Sequence, residues 1–361
     1  MPLGLYIHIP FCRGKCPYCD FYSVIPSGDM VEKYVKCVCN QLRGYDNYQF
    51  DTVYFGGGTP SVIGAENIAE ILKCADITDN PEITVECNPS DCGDGGFDFE
   101  KAAKSGINRI SFGLQSAVDS ERKALGRRAG AQDVKNAVKR AQSAGIGNIS
   151  LDLMLGIPGQ NEDTLKRSVD FCFSAGVKHI SAYILKIEEG TYFYKAKDRL
   201  NLPDEDETAD LYLKCVELTE QNGMKQYEIS NFAFPGFESR HNLKYWRCEE
   251  YLGIGPAAHS FIDGKRFYYS RDLNEYLNNP QPVYDGSGGD FDEYAMLALR
   301  LTEGLQDSMV FERFGFHIPE RFFEKAKKYE KNGLAEITDN SISLTAKGFL
   351  VSNAIIGDLL T

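Results

Sequence analysis

The sequence predicts an α/β protein, with an incomplete (β/α)6 barrel followed by a small C-terminal helical domain similar to a winged helix. The first observation behind this prediction is a series of six short β-rich runs, each followed by a helical pattern, as in a parallel sheet with crossover helices. The β-rich runs cover residues 5–9, 52–55, 83–87, 109–114, 149–153 and 179–185. The helical patterns cover residues 29–43, 65–75, 97–105, 132–144, 162–175 and 205–222.

The second observation is the position of polar residues and glycines, which separates a barrel from a flat doubly wound sheet. They occur at the C-terminal end of nearly every β-rich run: residues 12–19, residues 56–59, Glu86, Gln115 and Asp152. The loops after the strands of a barrel converge on one rim, where its chemistry is built. A flat sheet concentrates such residues at one switch point instead. Their distribution over many strands favours the barrel.

The alternation of strand and helix patterns ends near residue 235, which divides the chain into three predicted units. Residues 1–235 form the barrel core, and residues 236–289 form an aromatic, irregular connecting region. Residues 290–361 form the C-terminal domain, with three helices, two short strands around Asp339 and Asn340, and a final helix. A chain of 361 residues is long enough for one large domain and a smaller one.

Composition excludes several classes of protein. A formal net charge of −13 argues against a broad phosphate-binding surface, so no nucleic-acid partner is expected. The sequence contains no apolar run of membrane-spanning length and no export signal at its N-terminus, which predicts a cytoplasmic location. In that setting, eleven cysteines argue against a disulfide framework.

Three cysteines after the first β-rich run predict a metal centre. Cys12, Cys16 and Cys19 are spaced so that one tight loop can direct three thiolates at one point, as a [4Fe–4S] cluster requires. Structural zinc is the main alternative, but it takes four ligands, and no second CxxC or histidine pair lies nearby. Three thiolates leave one iron open. The amine and carboxylate of S-adenosylmethionine (SAM) can chelate that iron.

These motifs resemble a known family. The cysteine loop, followed by Gly56-Gly57-Gly58-Thr59 after the second run, is similar to the signature of radical SAM proteins. Longer strings at residues 6–12, 54–60, 111–115 and 152–158 resemble the oxygen-independent coproporphyrinogen III oxidase group. Within that group the sequence is most similar to the HemW branch, the haem chaperones, almost from end to end.

The resemblance implies a set of SAM contacts. It assigns them to Tyr6, Tyr18, Gly57, Gly58, Thr59, Glu86, Gln115, Arg127 and Asp152. Glycines let the backbone approach the methionyl group closely. Arg127 can pair with a carboxylate, and Glu86 or Asp152 can accept from ribose hydroxyls or the amine. Surface ion pairs remain an alternative explanation for Arg127 and Glu86.

The resemblance leaves two functions open. One is a haem chaperone that binds haem and delivers it to apo-haemoproteins, and the other is an oxidase that decarboxylates coproporphyrinogen III. The oxidases carry a fourth cysteine two residues after the third, where this chain has Phe21 after Asp20. They also carry a longer segment before the cluster loop. Both features favour the chaperone, and no catalytic residue is assigned.

A motif in the connecting region also points to haem. Arg240-His241-Asn242-Leu243-Lys244-Tyr245-Trp246 resembles the HNxxYW haem motif of the chaperones. By this resemblance His241 supplies an imidazole to haem iron, and Tyr245 and Trp246 stack on the porphyrin. A histidine that is only hydrogen-bonded is the alternative.

The family resemblance also implies partners. It implies apo-haemoprotein acceptors, with a membrane respiratory enzyme among them, and therefore a peripheral association with the membrane. A flavodoxin or ferredoxin-type protein would donate electrons to the cluster. A cluster loop near the N-terminus is compatible with a homodimer contact.

Overall fold

The structure, a computed structural model, describes residues 2–361 and forms a twelve-stranded sheet with helices packed on it, plus a small C-terminal unit. The strands are β1 (Leu3–Ile9), β2 (Phe50–Gly57), β3 (Ile77–Cys87), β4 (Arg109–Gln115), β5 (Asn148–Leu155), β6 (His179–Ile184), β7 (Lys225–Glu228), β8 (Asn231–Ala233), β9 (Tyr251–Ile254), β10 (His259–Ile262), β11 (Lys265–Tyr268), β12 (Val283–Ser287), β13 (Leu305–Gln306), β14 (Ala335–Thr338) and β15 (Ser341–Leu344).

The α-helices lie mainly between these strands and after them. They are α1 (Met30–Arg43), α2 (Gly64–Leu72), α3 (Phe99–Lys104), α4 (Asp119–Ala124), α5 (Ala131–Ser143), α6 (Glu162–Ser174), α7 (Tyr192–Ala196), α8 (Glu205–Gln221), α9 (Arg240–Trp246), α10 (Leu273–Asn278), α11 (Phe291–Ala298), α12 (Asp307–Phe314), α13 (Glu320–Glu330), α14 (Ala346–Leu350) and α15 (Ser352–Leu360). None of the helices in residues 2–361 combines the length and the apolar character that a membrane crossing needs.

All six predicted barrel strands are confirmed, and they pair in parallel in the order of the sequence, from β1 to β6. That order differs from a doubly wound sheet, in which the strand order reverses at a switch point. The large sheet ends at β12 on one side and at β7 on the other. Within residues 2–361 these two end strands do not pair, so the barrel is incomplete, as the sequence predicts.

Alternation along the strands separates an apolar face from a polar one. Leu5, Ile7 and Ile9 of β1 are fully buried in the hydrophobic core. Tyr6 and His8 lie on the opposite face, where the Tyr6 hydroxyl is 3.1 Å from Nδ1 of His8. The same alternation on β2–β6 directs polar side chains into the barrel, so the interior can hold a polar ligand. These side chains are Thr52, Tyr54, Glu86, Arg109, Ser111, Asp152, His179 and Ser181.

Helix termini follow the signals in the sequence. The Asn161 side chain accepts a hydrogen bond from the backbone N–H of Thr164 and caps α6. Gly176, with φ of 73°, follows the same helix in the left-handed conformation that glycine adopts without strain. Both positions confirm the predicted start and end of this helix.

Residues 236–289 are more regular than the sequence predicts, because they contain four strands and two helices. β9 pairs in parallel with β1, next to the first strand of the barrel. α9 contacts β2, and its His241 is hydrogen-bonded to Thr52 near the start of that strand. The sequence does not predict these strands because four or five residues carry too short a pattern, and the strand that β9 pairs with lies about 250 residues away. The division of the chain at residues 235 and 289 stays a prediction.

The C-terminal unit matches the predicted order of elements. Helices α11, α12 and α13 precede the β14–β15 hairpin, which turns at Asp339 and Asn340 as predicted. The final helix is divided at Val351 into α14 and α15. The unit contacts the connecting region through an ion pair of 3.1 Å between Arg247 and Glu303, and beside β7 the N–H of Ile229 donates to the carbonyl of Arg300 at 3.0 Å.

Candidate cluster and cofactor site

A cavity of about 720 Å³ lies at the C-terminal ends of the barrel strands. Its walls come from the loop after β1, the loop after β2 and the ends of β3, β4, β5 and β6. This is the rim on which the sequence places the chemistry, and the volume lies in the range of small-molecule sites. Most of the predicted site residues line this cavity: Cys12, Cys16, Tyr18, Cys19, Gly57, Gly58, Thr59, Glu86, Gln115, Arg127 and Asp152.

The three cysteines lie on one loop that two backbone hydrogen bonds close at its base. The N–H of Cys12 donates to the carbonyl of Val24 at 3.0 Å, and the N–H of Val24 donates to Pro10 at 2.7 Å. All three thiols are partly exposed and unbridged. Burial raises the pKa of the Cys19 thiol, and the nearby Lys15 ammonium opposes that shift.

The arrangement of these thiols bears on the kind of metal centre. In residues 2–361, no three His, Cys, Asp or Glu side chains converge on the position of a single metal ion. A [4Fe–4S] cluster places a different demand on its ligands, because each thiolate binds its own iron. Three thiols lining one cavity fit that demand. Ligation by Cys12, Cys16 and Cys19 stays a prediction.

The glycine loop after β2 lies directly against the backbone of the cluster loop. The N–H of Gly58 donates to Ile9 and that of Thr59 donates to Phe11, both at 2.8 Å. A Cβ on Gly58 would lie 2.6 Å from the Phe11 carbonyl oxygen, closer than real Cβ atoms approach. The loop therefore needs glycine to contact the protein itself, in addition to the predicted approach to SAM. Thr59 Oγ1 lies 3.1 Å from Cys12 Sγ and joins the two loops.

Two carboxyl groups enter the cavity from the ends of β3 and β5. The Tyr54 hydroxyl donates to Glu86 at 2.8 Å, and the Ser111 hydroxyl donates to Asp152 at 2.8 Å. Burial raises the pKa of Glu86 to about 7, and the hydrogen bond from Tyr54 opposes the shift. Burial also raises the pKa of Asp152. Neither carboxyl forms an ion pair within residues 2–361, so a surface ion pair does not explain Glu86.

Arg127 and Gln115 complete the polar lining. One Arg127 Nη atom donates to the carbonyl of Gly113 at 2.7 Å, and the other lies 4.0 Å from Cys16 Sγ. The described chain gives this guanidinium no carboxylate partner within 4.0 Å, so it can accept a carboxylate from a ligand. Gln115 has a φ of 67°, in the left-handed region that a non-glycine residue seldom adopts. Such strain is concentrated at functional sites.

Tyr6 is the one predicted SAM residue outside the cavity lining. Its hydroxyl is hydrogen-bonded to Nδ1 of His8, and Nε2 of His8 donates to the carbonyl of Tyr22 at 3.2 Å. His8 is therefore the hydrogen-bonded barrel histidine that its alternating position indicates. The geometry gives Tyr6 a supporting position beneath the site, and its contact with SAM stays a prediction.

The predicted haem motif lies on α9, toward the starts of the strands and away from the cavity lining. His241 is 1% exposed. Its Nδ1 is 2.9 Å from Thr52 Oγ1, and its Nε2 is 2.8 Å from the hydroxyl of Tyr245. Its ring stacks on Tyr54, with 5.3 Å between centroids, and burial lowers its pKa to about 3.

This geometry bears on the prediction that His241 is a haem ligand. Both ring nitrogens of His241 are already hydrogen-bonded, so iron can bind only after Tyr245 or Thr52 moves away. Trp246 is partly exposed, with the Arg300 guanidinium 6.0 Å from its ring. The structure supports the hydrogen-bonded alternative, and haem contact by these three residues stays a prediction.

Three residues that support the site were missed in the sequence. Tyr54 and Ser111 hold the two carboxyl groups, and Arg109 lies 2% exposed in the barrel with no ion pair in the described chain. The Arg109 cation acts on Glu86 and Asp152, where it opposes the rise in pKa caused by burial. The alternation of the strand could have indicated Arg109, because Arg109 lies two residues before Ser111 and residues two apart on a strand share a face.

Comparison with known proteins agrees with the fold and the site. An incomplete barrel with three cysteines after β1 and a glycine loop after β2 defines a radical SAM protein. The family model described as "Radical SAM superfamily" matches residues 6–172, and that of the "HemN C-terminal domain" matches residues 292–351. A "Heme chaperone HemW" of Lactococcus lactis is 32% identical, covering 99% of this chain and 97% of its own. The chain belongs to the HemW family.

Two further comparisons bear on this relationship. A "Heme chaperone HemW" of Bacillus subtilis is 33% identical over 98% of each chain. The solved coproporphyrinogen III oxidase (HemN) from Escherichia coli has a TM-score of 0.84 and 19% identity, covering 100% of this chain and 90% of its own. At that identity the likeness shows the fold alone.

The radical SAM family implies a [4Fe–4S] cluster and SAM, and the residues present fit both. Three thiols share the cavity with an unpaired guanidinium, two carboxyl groups and exposed glycine backbone. When bound, a reduced cluster and SAM would supply the chemistry for reductive cleavage of a carbon–sulfur bond. The chain's own part is to bind and orient: Arg127 suits the carboxylate, and Glu86 and Asp152 suit the amine and ribose hydroxyls.

We expect SAM binding to strengthen as the pH rises through about 7, the pKa of Glu86, because the ionised carboxylate accepts charge-assisted hydrogen bonds through both oxygens and attracts the SAM ammonium. Tyr54→Phe removes a donor that stabilises the ionised form, so the midpoint of this dependence should move to higher pH. Anaerobic calorimetry at a series of pH values measures the SAM affinity of wild type and of Tyr54→Phe, and therefore the midpoint of the pH dependence in each.

Two controls separate this effect from other titrations. Glu86→Gln should remove the Glu86 component and leave that of the SAM amine, which titrates near pH 8. Tyr284→Phe changes an exposed tyrosine outside the cavity and should leave the midpoint unchanged. The same midpoint in wild type and Tyr54→Phe would contradict the expectation.

Proposed function

We propose that this protein binds haem and delivers it to apo-haemoproteins, with a [4Fe–4S] cluster and SAM in the barrel cavity. The observation that carries the proposal is the likeness to proteins named "Heme chaperone HemW", at 32% and 33% identity over almost the whole chain. A relative with the same name from Escherichia coli is 36% identical over 73% of this chain.

The cluster loop supports this choice over porphyrinogen oxidation. Phe21 occupies the position of the fourth cysteine of the oxidases, and its side chain is 64% exposed at the cavity. The alternative function is oxygen-independent coproporphyrinogen III oxidase, and the shared fold with HemN favours it. Fold alone does not determine function, so we rank the oxidase second.

The cavity residues take separate roles in the proposed protein. Cys12, Cys16 and Cys19 hold the cluster, and Thr59 braces Cys12 through its hydroxyl. Tyr18 lies 6.1 Å from Phe193 between ring centroids and offers an aromatic surface to the adenine. The polar groups of SAM contact the remaining predicted residues of the cavity, which are Gly57, Gly58, Glu86, Gln115, Arg127 and Asp152.

The proposal includes partners and a location. Haem and apo-haemoproteins are the partners, with a membrane respiratory enzyme as acceptor, a flavodoxin or ferredoxin-type electron donor and a homodimer as further hypotheses. We place the protein in the cytosol, with peripheral association at the membrane. The eleven unbridged cysteines support a reducing compartment.

Two assays on anaerobically reconstituted protein test the function. We expect saturable haem binding in an absorbance titration and transfer of that haem to an apo-haemoprotein. We also expect no protoporphyrinogen from coproporphyrinogen III in the presence of SAM and a reductant. Product formation would reverse the ranking of the two functions. A flat haem titration would remove the chaperone proposal.

A further inference from the structure

We infer that haem binds across the mouth of the cluster cavity, on an apolar rim formed by Phe21 and Ile184, with its propionates on Lys15 and Arg128. The inference rests on the proposed function, because it assigns a place to the haem that function requires. The competing place is α9, with His241, Tyr245 and Trp246.

Exposed apolar side chains are concentrated at this mouth. Phe21 and Ile184 are 64% and 42% exposed, and both line the cavity, whereas Tyr183 lines it from inside the barrel beside Ser181. Six of the eleven large apolar side chains exposed in residues 2–361 lie between residues 21–25 and 183–194, two segments beside the cluster loop. Exposed apolar side chains gathered beside one cavity are typical of a binding site.

These two segments are joined into one surface by the fold. The N–H of Phe193 on α7 donates to the carbonyl of Pro17 in the cluster loop at 2.9 Å. The N–H of Leu185 donates to the carbonyl of Leu155, which keeps the end of β6 against β5. Phe21 and Ile184 therefore face one opening from two sides. A flat, apolar macrocycle suits such an opening.

The charges at the mouth fit the two carboxylates of haem. Of the cationic residues there, Arg13 pairs with Asp91 and Lys186 pairs with Glu188, each at 2.6 Å. The described chain gives no ion pair to Lys15 or Arg128, although the Lys15 ammonium donates to the Phe21 carbonyl.

The acidic groups at the mouth leave these two cations available. Asp91 and Glu188 are already paired, Glu86 and Asp152 lie deeper, and Asp20 is the remaining exposed carboxylate. Because Arg127 is assigned to the SAM carboxylate, Lys15 and Arg128 are the two unpaired cations of the described chain left at the cavity, and they match a ligand with two propionates.

The buried His241 makes the mouth the better haem site in this conformation. Binding at the mouth leaves the hydrogen bonds of His241 to Thr52 and Tyr245 unbroken. It also places haem over the opening through which SAM must enter and leave. Haem-loaded protein should therefore exchange SAM more slowly than haem-free protein.

The test is a haem absorbance titration of the full, cluster-loaded chain and its variants. We expect Phe21→Ser and Ile184→Ser each to weaken haem binding about tenfold, because each removes apolar contact area. The double variant Lys15→Gln with Arg128→Gln should weaken it by at least a similar factor. Phe311→Ser and Lys331→Gln remove an exposed apolar and a cationic side chain away from the cavity, and should bind haem as wild type does.

The outcomes separate the inference from the proposed function. If wild type binds no haem, the proposed function fails. If wild type binds haem and the rim variants bind it equally well, the rim is wrong and the function stands. Loss of binding in His241→Ala, with unchanged rim variants, would place haem at α9. Because His241 is buried, Tyr245→Phe provides a second check: it frees Nε2 and should leave the haem spectrum unchanged if haem sits at the mouth.

Discussion

Replacement of Cys12, Cys16 or Cys19 by alanine is expected to abolish the [4Fe–4S] cluster and, with it, tight SAM binding. Each thiolate binds one iron of the cube, and the described cavity offers no spare cysteine on the same loop. Anaerobic reconstitution followed by iron and sulfide analysis measures the loss. Wild type should contain about four irons per chain, and each variant should lack the cluster absorbance.

A matched control for these variants is Cys74→Ala. Cys74 is also partly exposed and unbridged, but it follows α2 and does not line the cavity. We expect this variant to take up iron as wild type does. A normal cluster spectrum in all three loop variants would mean that other residues hold the metal, and the assignment of the site would fail.

Replacement of Gly58 by alanine is expected to separate the glycine loop from the cluster loop. The new Cβ would lie 2.6 Å from the Phe11 carbonyl oxygen and 2.8 Å from that of Ile9, and neither atom can move without displacing backbone. Overpacking of this kind costs about 1–3 kcal/mol in the free energy of unfolding. Chemical denaturation measures that cost, and iron content and SAM affinity should fall with it.

Gly147→Ala serves as the control for this substitution. A Cβ on Gly147 meets nothing within 4 Å, and its φ lies outside the left-handed region. Alanine at this exposed loop position should leave stability and cluster content close to wild type. Equal stability and equal SAM affinity in Gly58→Ala and Gly147→Ala would show that the contact between the two loops can accommodate a methyl group, and would contradict the prediction.

The two proposed locations of haem differ in whether the barrel must change its conformation when haem binds. Haem at the mouth uses surface that is already exposed and leaves the buried network around His241 closed. Haem at α9 requires that network to open, and opening would disturb Tyr54, on which His241 stacks and which donates to Glu86. A haem ligand at His241 would therefore also alter SAM binding, whereas haem at the mouth would slow SAM exchange.

The sequence alone determined the features that depend on near neighbours. The spacing of Cys12, Cys16 and Cys19 lies within eight residues, so a single loop presents them whatever the rest of the chain does. The six parallel strands follow from short apolar runs between helical patterns, and α6 begins at its Asn161 cap as predicted. These signals are local, and local signals persist in the folded chain.

Only the tertiary structure decided which residues surround those local features. Strand register brings Tyr54 to Glu86 across 32 positions, and it places β9 beside β1. The same packing brings Thr52 to His241 across 189 positions and buries the imidazole with both nitrogens bonded. The sequence shows an imidazole at residue 241, but burial and hydrogen bonding control whether its nitrogens can bind iron. Those properties depend on contacts between distant segments, which no local pattern encodes.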